Sequence, residues 1–212
     1  MKRTIIALTA IIIGFTANSH LQSQEKKAPS SAIFSAFAPY PVYDNTYYPL
    51  SYHKIYSKEA FGNSVELDDG SIWKVRSSDA PIVSRTWRSD DYIVITPSSM
   101  PNYTGCPFYM TNQRTGTYVY VSLQVGPIIG GLNTTEIVRL DPMHGDLTLR
   151  DGKGIDYYFQ VPANSRAFLN DWYVGQAVIV GSNDNWLMNM WDQCEYILIN
   201  VERNRYLKAC QY

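Results

Sequence analysis

From residue 53 onward the chain alternates apolar and polar positions with a period of two, and helical periodicity is hard to find. VELDDGSIW (Val65 to Trp73) runs through an alternating stretch, an Asp-Gly pair and a second strand-like stretch, and LTLRDGKGI (Leu147 to Ile155) repeats that plan. Each predicts a β-hairpin in which Asp-Gly supplies the positive φ of a type I′ turn. WRSDDYIVI (Trp87 to Ile95) lies over WYVGQAVIV (Trp172 to Val180), in both cases a Trp followed by a β-branched core strand. CPFYMTNQRTGTYVY (Cys106 to Tyr120) lies without a gap over CEYILINVERNRYLK (Cys194 to Lys208), with Cys, Asn and Tyr at matching places. Gly116 and Asn204 then share the turn of the last hairpin, and these residue types best tolerate a left-handed backbone.

The matches amount to a duplication. Residues 53–125 and 136–212 are two copies of one strand-rich module, each with five or six strands, joined by GPIIGGLN. A module of about 70 residues suits a small barrel, whose closure removes exposed edges. The predicted fold class is all-β: two tandem small β-barrels, SH3-like or OB-like, with one β-sandwich built from both halves as the alternative. Two such units packed together would ease the marginal stability of domains this small.

Upstream the pattern changes. Lys2 and Arg3, an apolar run from Ile5 to Phe15 and small residues around Ala17 and Ser19 give residues 1–20 the layout of a signal peptide. Export follows as an expectation, to the periplasm, the outer envelope or the medium, with an uncleaved anchor helix as the alternative. The run is short of the about 20 apolar residues that span a bilayer, so no transmembrane span is expected once the signal is removed. No Cys follows the run, which disfavours a lipoprotein. Residues 21–52 are rich in Pro, Ser and Tyr; prolines at 39, 41 and 49 suit an extended arm or linker, ordered over a surface or disordered.

Charge and composition narrow the function classes. A formal net charge of -1 argues against a nucleic-acid partner, which needs surplus Lys and Arg to displace phosphate counterions. It argues equally against a polybasic membrane patch. Seventeen Tyr and five Trp suit half-buried pleated strands and strengthen the all-β reading.

The ordered set of Asp-Gly, Trp, a turn acid or Gly, Val-Ile and Asn, with NDNW (Asn183 to Trp186) and ILINV (Ile197 to Val201), resembles a family of exported, uncharacterised proteins from chlamydia-type intracellular bacteria. The resemblance covers the two copies and implies export and duplication; it implies no activity or ligand. Two departures stand out: Asp90-Asp91 replaces a Gly-Asp turn, and Gly154-Ile155 replaces the Ser-x-Trp of the first copy. On this reading, any surface role of that Trp is lost from the second copy.

Candidate chemistry is sparse. In an exported chain three Cys invite a disulfide. Pairing of the last hairpin around Glu202 would set Cys194 directly opposite Cys210, within bridging reach. Were Asn204 left-handed in a three-residue loop, Cys194 would fall on a diagonal and the bond would fail. Cys106 reads as a small buried hydrophobe, with an intermolecular bridge or a bond to Cys194 as alternatives. His53 and His144 read as surface turn residues rather than bases for a nucleophile. Asp68-Asp69 and Asp90-Asp91 read as turn acids. Metal-ligand spacing, phosphate loops and nucleophile elbows are absent, so neither a cofactor nor a metal site is expected. Trp73, Trp87 and Trp172 belong to the core by their alternation. Trp186 and Trp191 differ: SNDNWLMNMWDQ is a polar loop, and with Asn183 and Asn185 these rings form a candidate platform for a sugar or peptide.

The leading functional expectation is an exported, non-enzymatic protein that binds a wall, envelope or protein ligand. The alternatives are a secreted hydrolase with a dispersed acid pair or a Ser/His set around His53 or His144, and a structural envelope component linked by disulfides.

Overall fold

The computed structural model describes residues 49–183 and 194–212. The first copy holds strands β1 (Tyr52–Lys58), β2 (Ser64–Leu67), β3 (Ile72–Val75), β4 (Tyr92–Pro97), β5 (Phe108–Asn112) and β6 (Tyr118–Val125). The second holds β7 (Thr135–Asp141), β8 (Asp146–Asp151), β9 (Asp156–Gln160), β10 (Ala177–Ser182), β11 (Tyr196–Asn200) and β12 (Arg205–Gln211). Each set closes into a barrel of the same order, β1-β2-β3-β6-β5-β4 and its counterpart β7-β8-β9-β12-β11-β10. Closure rules out the single sandwich, because neither sheet keeps an open face edge to share with the other.

The repeats superpose in their details. β1 bulges after Ile55 and β7 after Ile137, so the same extra residue bends the first strand of each barrel. Interior residues then correspond one to one: Ile55 with Ile137, Leu67 with Leu149, Trp87 with Trp172, Met110 with Leu198. The register also shows what became of the duplicated Trp. Trp73 pairs with Val65 and Leu123, and the residue with the equivalent partners, Leu147 and Gln211, is Phe159. Both rings are wholly buried. The Trp therefore had a core role, and the second copy fills it with a smaller ring.

The Asn matched across the closing hairpins has a structural task. Asn112 Oδ1 accepts the backbone N–H groups of Arg114 and Thr115, while its Nδ2 reaches Asp91 at 2.7 Å. Asn200 Oδ1 accepts Glu202 and Arg203, and its amide pairs with Gln176. A buried amide thus ties the turn of one hairpin to the strand entry beside it, in both barrels. Gly116 and Asn204 take positive φ, 68° and 49°, as their residue types suggest.

The two Asp-Gly hairpins differ from expectation. Both form, but each turn is longer than two residues, with one left-handed glycine, Gly70 (φ 82°) or Gly154 (φ 85°). Gly152 serves another purpose: a Cβ there would come within 2.2 Å of the Gly131 carbonyl oxygen. The inter-barrel linker passes that close. At the other turn-acid site Asp90 itself adopts φ 73° where the second barrel has Gly175, and both N–H groups bond the bulged strand.

Two short helical segments escaped the sequence pattern. α1 (Ala80–Thr86) and a 3-10 helix over Arg166–Asp171 occupy equivalent crossovers, each pressing a buried aliphatic and a Trp onto its barrel, Val83 with Trp87 and Leu169 with Trp172. They are too short to display a helical period. A single turn, α2 (Pro101–Thr104), ends at left-handed Gly105.

The barrels meet along β4 and β10, buried on both faces from Ile93 onward and throughout β10. Inward Val178, Val180 and Leu198 fill the second barrel, while outward Ile179, Ile197 and Ile199 join the core of the first. Gly181 makes this approach feasible, since a Cβ there would lie 2.4 Å from the Ile95 carbonyl oxygen. The linker is stitched to the first barrel by Ile128 N–H to the Asp69 carbonyl at 2.9 Å and by the Asn133 amide to the Asp68 carbonyl.

Cys194 and Cys210 form a disulfide with Cα atoms 4.2 Å apart. The reason differs from the one expected. Asn200 pairs with Arg205, so the loop is four residues long, Asn204 is left-handed, and Cys194 stands diagonally from Cys210. The bond forms nonetheless because Cys194 precedes β11 and is free of the ladder that would have held it away. Cys106 is buried and unbridged.

Candidate functional site

Between the barrels lies a cleft of about 630 Å³. Its first wall comes from the chain entering β1 and from the β2–β3 turn, with Leu50, Tyr52, His53, Asp68 and Asp69. The opposite wall is the mouth of the second barrel: the β8–β9 hairpin, the C-terminal end of β12 and the interior residues Val178 and Val180. The size falls within the about 300–1,000 Å³ typical of small-molecule sites. Where the first barrel has Trp73, Ile95 and Val121, the second has Phe159, Val180 and Ala209, so less side-chain volume fills the same end.

His53 lies in β1, on the same face as Ile55, and is buried, not on a surface turn as its sequence neighbourhood suggested. Its Nε2 is 2.7 Å from the Val180 carbonyl oxygen of the facing barrel. A carbonyl only accepts, so Nε2 carries the proton. The residue is therefore a strut between barrels as well as part of the cleft wall. The signal was present: alternation in YHKIYSK puts position 53 on the inward side with position 55.

Asp69 is 4 % exposed, and Ser71 alone among the described residues hydrogen-bonds its carboxyl. Burial pushes this carboxyl up, against the opposing pull of His53 and the Ser71 hydrogen bonds. Asp68 accepts the Lys54 N–H and starts the same turn. Across the cleft Asp151 accepts Tyr157 OH at 3.1 Å, and Arg150 holds Asp156 in a two-pronged ion pair that keeps its carboxyl below the usual range. The rim carries Tyr158 and Tyr212, 46 % and 71 % exposed, their ring centroids 6.3 Å apart. Among the described residues, six tyrosines and four aspartates line the space against one lysine, Lys153.

No family model, curated protein or solved structure matches the chain. The site is therefore characterised by its own chemistry. Among the described residues no group of three or more His, Cys, Asp or Glu is placed to hold a metal ion, and no helix is long and apolar enough to cross a membrane.

The residues chosen from sequence are distributed differently. Asn185, Trp186 and Trp191 lie outside the described residues. Asn183 is buried, and its amide donates to the Cys194 carbonyl at 2.8 Å while its N–H bonds Glu195, so it closes the base of that loop. His144 stands in an exposed turn, 2.8 Å from Asp141, away from the cleft. Asp91 is spent on Arg114, Asn112 and the Arg88 N–H, which hold its carboxyl down at about 2. Burial raises the Cys106 thiol, which disfavours the reactive thiolate that a crosslink needs. Tyr158 and Tyr212 carry no sequence signal as site residues, because nothing local reveals that they line one cleft with the distant Asp69.

Proposed function

We propose that this chain is an exported, non-catalytic binding protein of the wall or envelope, and that its ligand sits in the cleft between the barrels. The observation that carries the reading is the cleft itself: a space of small-molecule size, walled by exposed aromatic rings and by carboxylates, on two closed scaffolds. Rigid barrels position such walls well. His53 is engaged at Nε2 by the Val180 carbonyl, so its place in the cleft wall is accounted for by a structural role as a link between the barrels.

Binding of envelope and wall fragments to the intact chain and to variants tests the proposal. Tyr158→Ala and Tyr212→Ala weaken binding if the cleft is the site, and Trp186→Ala leaves it unchanged. Loss confined to Trp186→Ala would return the site to the loop of Asn183, Asn185, Trp186 and Trp191.

A hydrolytic reading has one observation in its favour: burial pushes the Asp69 carboxyl up while the Arg150 ion pair holds Asp156 down, in the same cleft. A hydrolase screen decides between the two: an activity removed by Asp69→Asn would make the protein an enzyme.

A further inference from the structure

We infer that the cleft ligand is a saccharide presenting hydroxyl or ammonium donors and carrying no carboxylate, sulfate or phosphate. The inference rests on the cleft being the binding site and adds the chemistry of what it takes.

The argument begins with unused hydrogen-bonding capacity. A carboxylate offers about four lone-pair sites. Asp69 is buried at the cleft wall, yet only Ser71 satisfies it among the described residues. Such a group calls for a donor from the ligand, and an apolar guest would leave it without one. A hydrocarbon chain is excluded on this ground, although Val178 and Val180 lie within reach.

Charge excludes a second class. Of the four aspartates, Asp156 is balanced by its ion pair with Arg150, which leaves Asp68, Asp69 and Asp151 against Lys153 among the described lining residues. A negatively charged guest would enter against that field with no free guanidinium to receive it. Phosphates, nucleic acids, anionic lipid headgroups and uronic acids all fail this test.

Topology excludes a third. A peptide that binds by adding a strand to a sheet edge finds none here, because both sheets are closed.

What remains is a neutral or cationic, donor-rich guest with flat apolar patches. Sugar rings fit: their hydroxyls donate to carboxylates while their C–H faces lie on aromatic rings. Tyr158 and Tyr212 provide that surface at the rim, tilted 42° to each other, with Gln211 between them in sequence. A cleft of about 630 Å³ has room for a short oligosaccharide.

The test is an NMR titration of the intact chain with three trimers of similar size: N-acetylglucosamine, its de-N-acetylated form and galacturonic acid. The first two are expected to shift signals of Tyr158, Tyr212 and His53, and the third to bind at least tenfold more weakly. Tyr158→Ala should weaken the first two about tenfold. Asp69→Asn, which keeps the side-chain shape and the bond from Ser71, should reduce the de-N-acetylated trimer more than the neutral one. Equal or tighter binding of the uronic trimer would overturn the inference. So would cleft signals that respond to phosphate or to an apolar dye but to no sugar, an outcome that leaves the cleft itself standing as a binding site. If sugars bind while the cleft signals stay silent, the inference and the cleft reading fall together.

Discussion

His53 in the first barrel donates its Nε2 proton to the carbonyl of Val180 in the second, across 2.7 Å of buried space. The equivalent residue of the second barrel, Thr135, keeps its hydroxyl at home and bonds the Val178 carbonyl beside it. One position of the repeat thus carries a side chain long enough to reach the neighbouring copy. His53→Ala orphans the Val180 carbonyl and is expected to lower unfolding free energy by about 1–3 kcal/mol. Gln, which also donates, should recover part of the loss. Urea denaturation of both variants checks this, and unchanged midpoints would refute the strut.

Gly181 is required by proximity, not by backbone angle. With its Cβ position 2.4 Å from the Ile95 carbonyl oxygen, Gly181→Ala forces β4 and β10 apart. The expected cost is about 1–3 kcal/mol, as for overpacking a core. Hydrogen exchange should rise along both strands while β2 and β8 stay protected.

Acid should loosen the first barrel through Asp91. Its folded pKa, about 2, lies below the ordinary 3.8, with the Arg114 hydrogen bond as the leading cause. The contribution is complete above the unfolded value and is lost as pH falls through the folded one. Arg114 is partly exposed, so screening reduces the gain to about 1–2 kcal/mol. Asp91→Asn should be less stable at pH 5 by that amount, and the gap to the parent should close near pH 2. A gap that stays constant with pH would show that shape, not charge, accounts for the loss.

Asp69 has the opposite sign. Its carboxyl is raised by burial, so its cost is absent below the unfolded pKa and grows as pH rises through the folded one. Asp69→Asn is expected to stabilise the free protein at neutral pH by about 1 kcal/mol. Thermal melting at pH 4 and pH 8 would show the difference only at the higher value; melting points equal at both would contradict a buried charge.

Reduction of the Cys194–Cys210 bond opens a loop with a sequence separation of 16. The chain-entropy argument gives about 3 kcal/mol for a loop of this length. A Cys194→Ser, Cys210→Ser variant should lose that much, and dithiothreitol should have no further effect on it.

Much of the fold was legible because each barrel interior follows a period of two and because the duplication doubles every signal. Asn112 with Asn200, and Gly116 with Asn204, were visible as matched letters and proved to be matched turn geometry. The hairpin turns misled, since Gly152 answers to the linker rather than to its own φ. The Trp73 substitution also misled, because Phe159 comes later along the chain than the aligned hairpin implied. The cleft was illegible for a deeper reason: Asp69, Tyr158 and Tyr212 meet only through the docking of one barrel on another, and no local pattern encodes that angle.

The isoleucines at 179, 197 and 199 point out of one closed sheet into the hydrophobic centre of its neighbour. Had the second half ever circulated alone, it would have carried a sticky flank with no cover. Cutting the chain between the halves would therefore strip both of a shared interior, and neither is expected to stay soluble as a separate fragment.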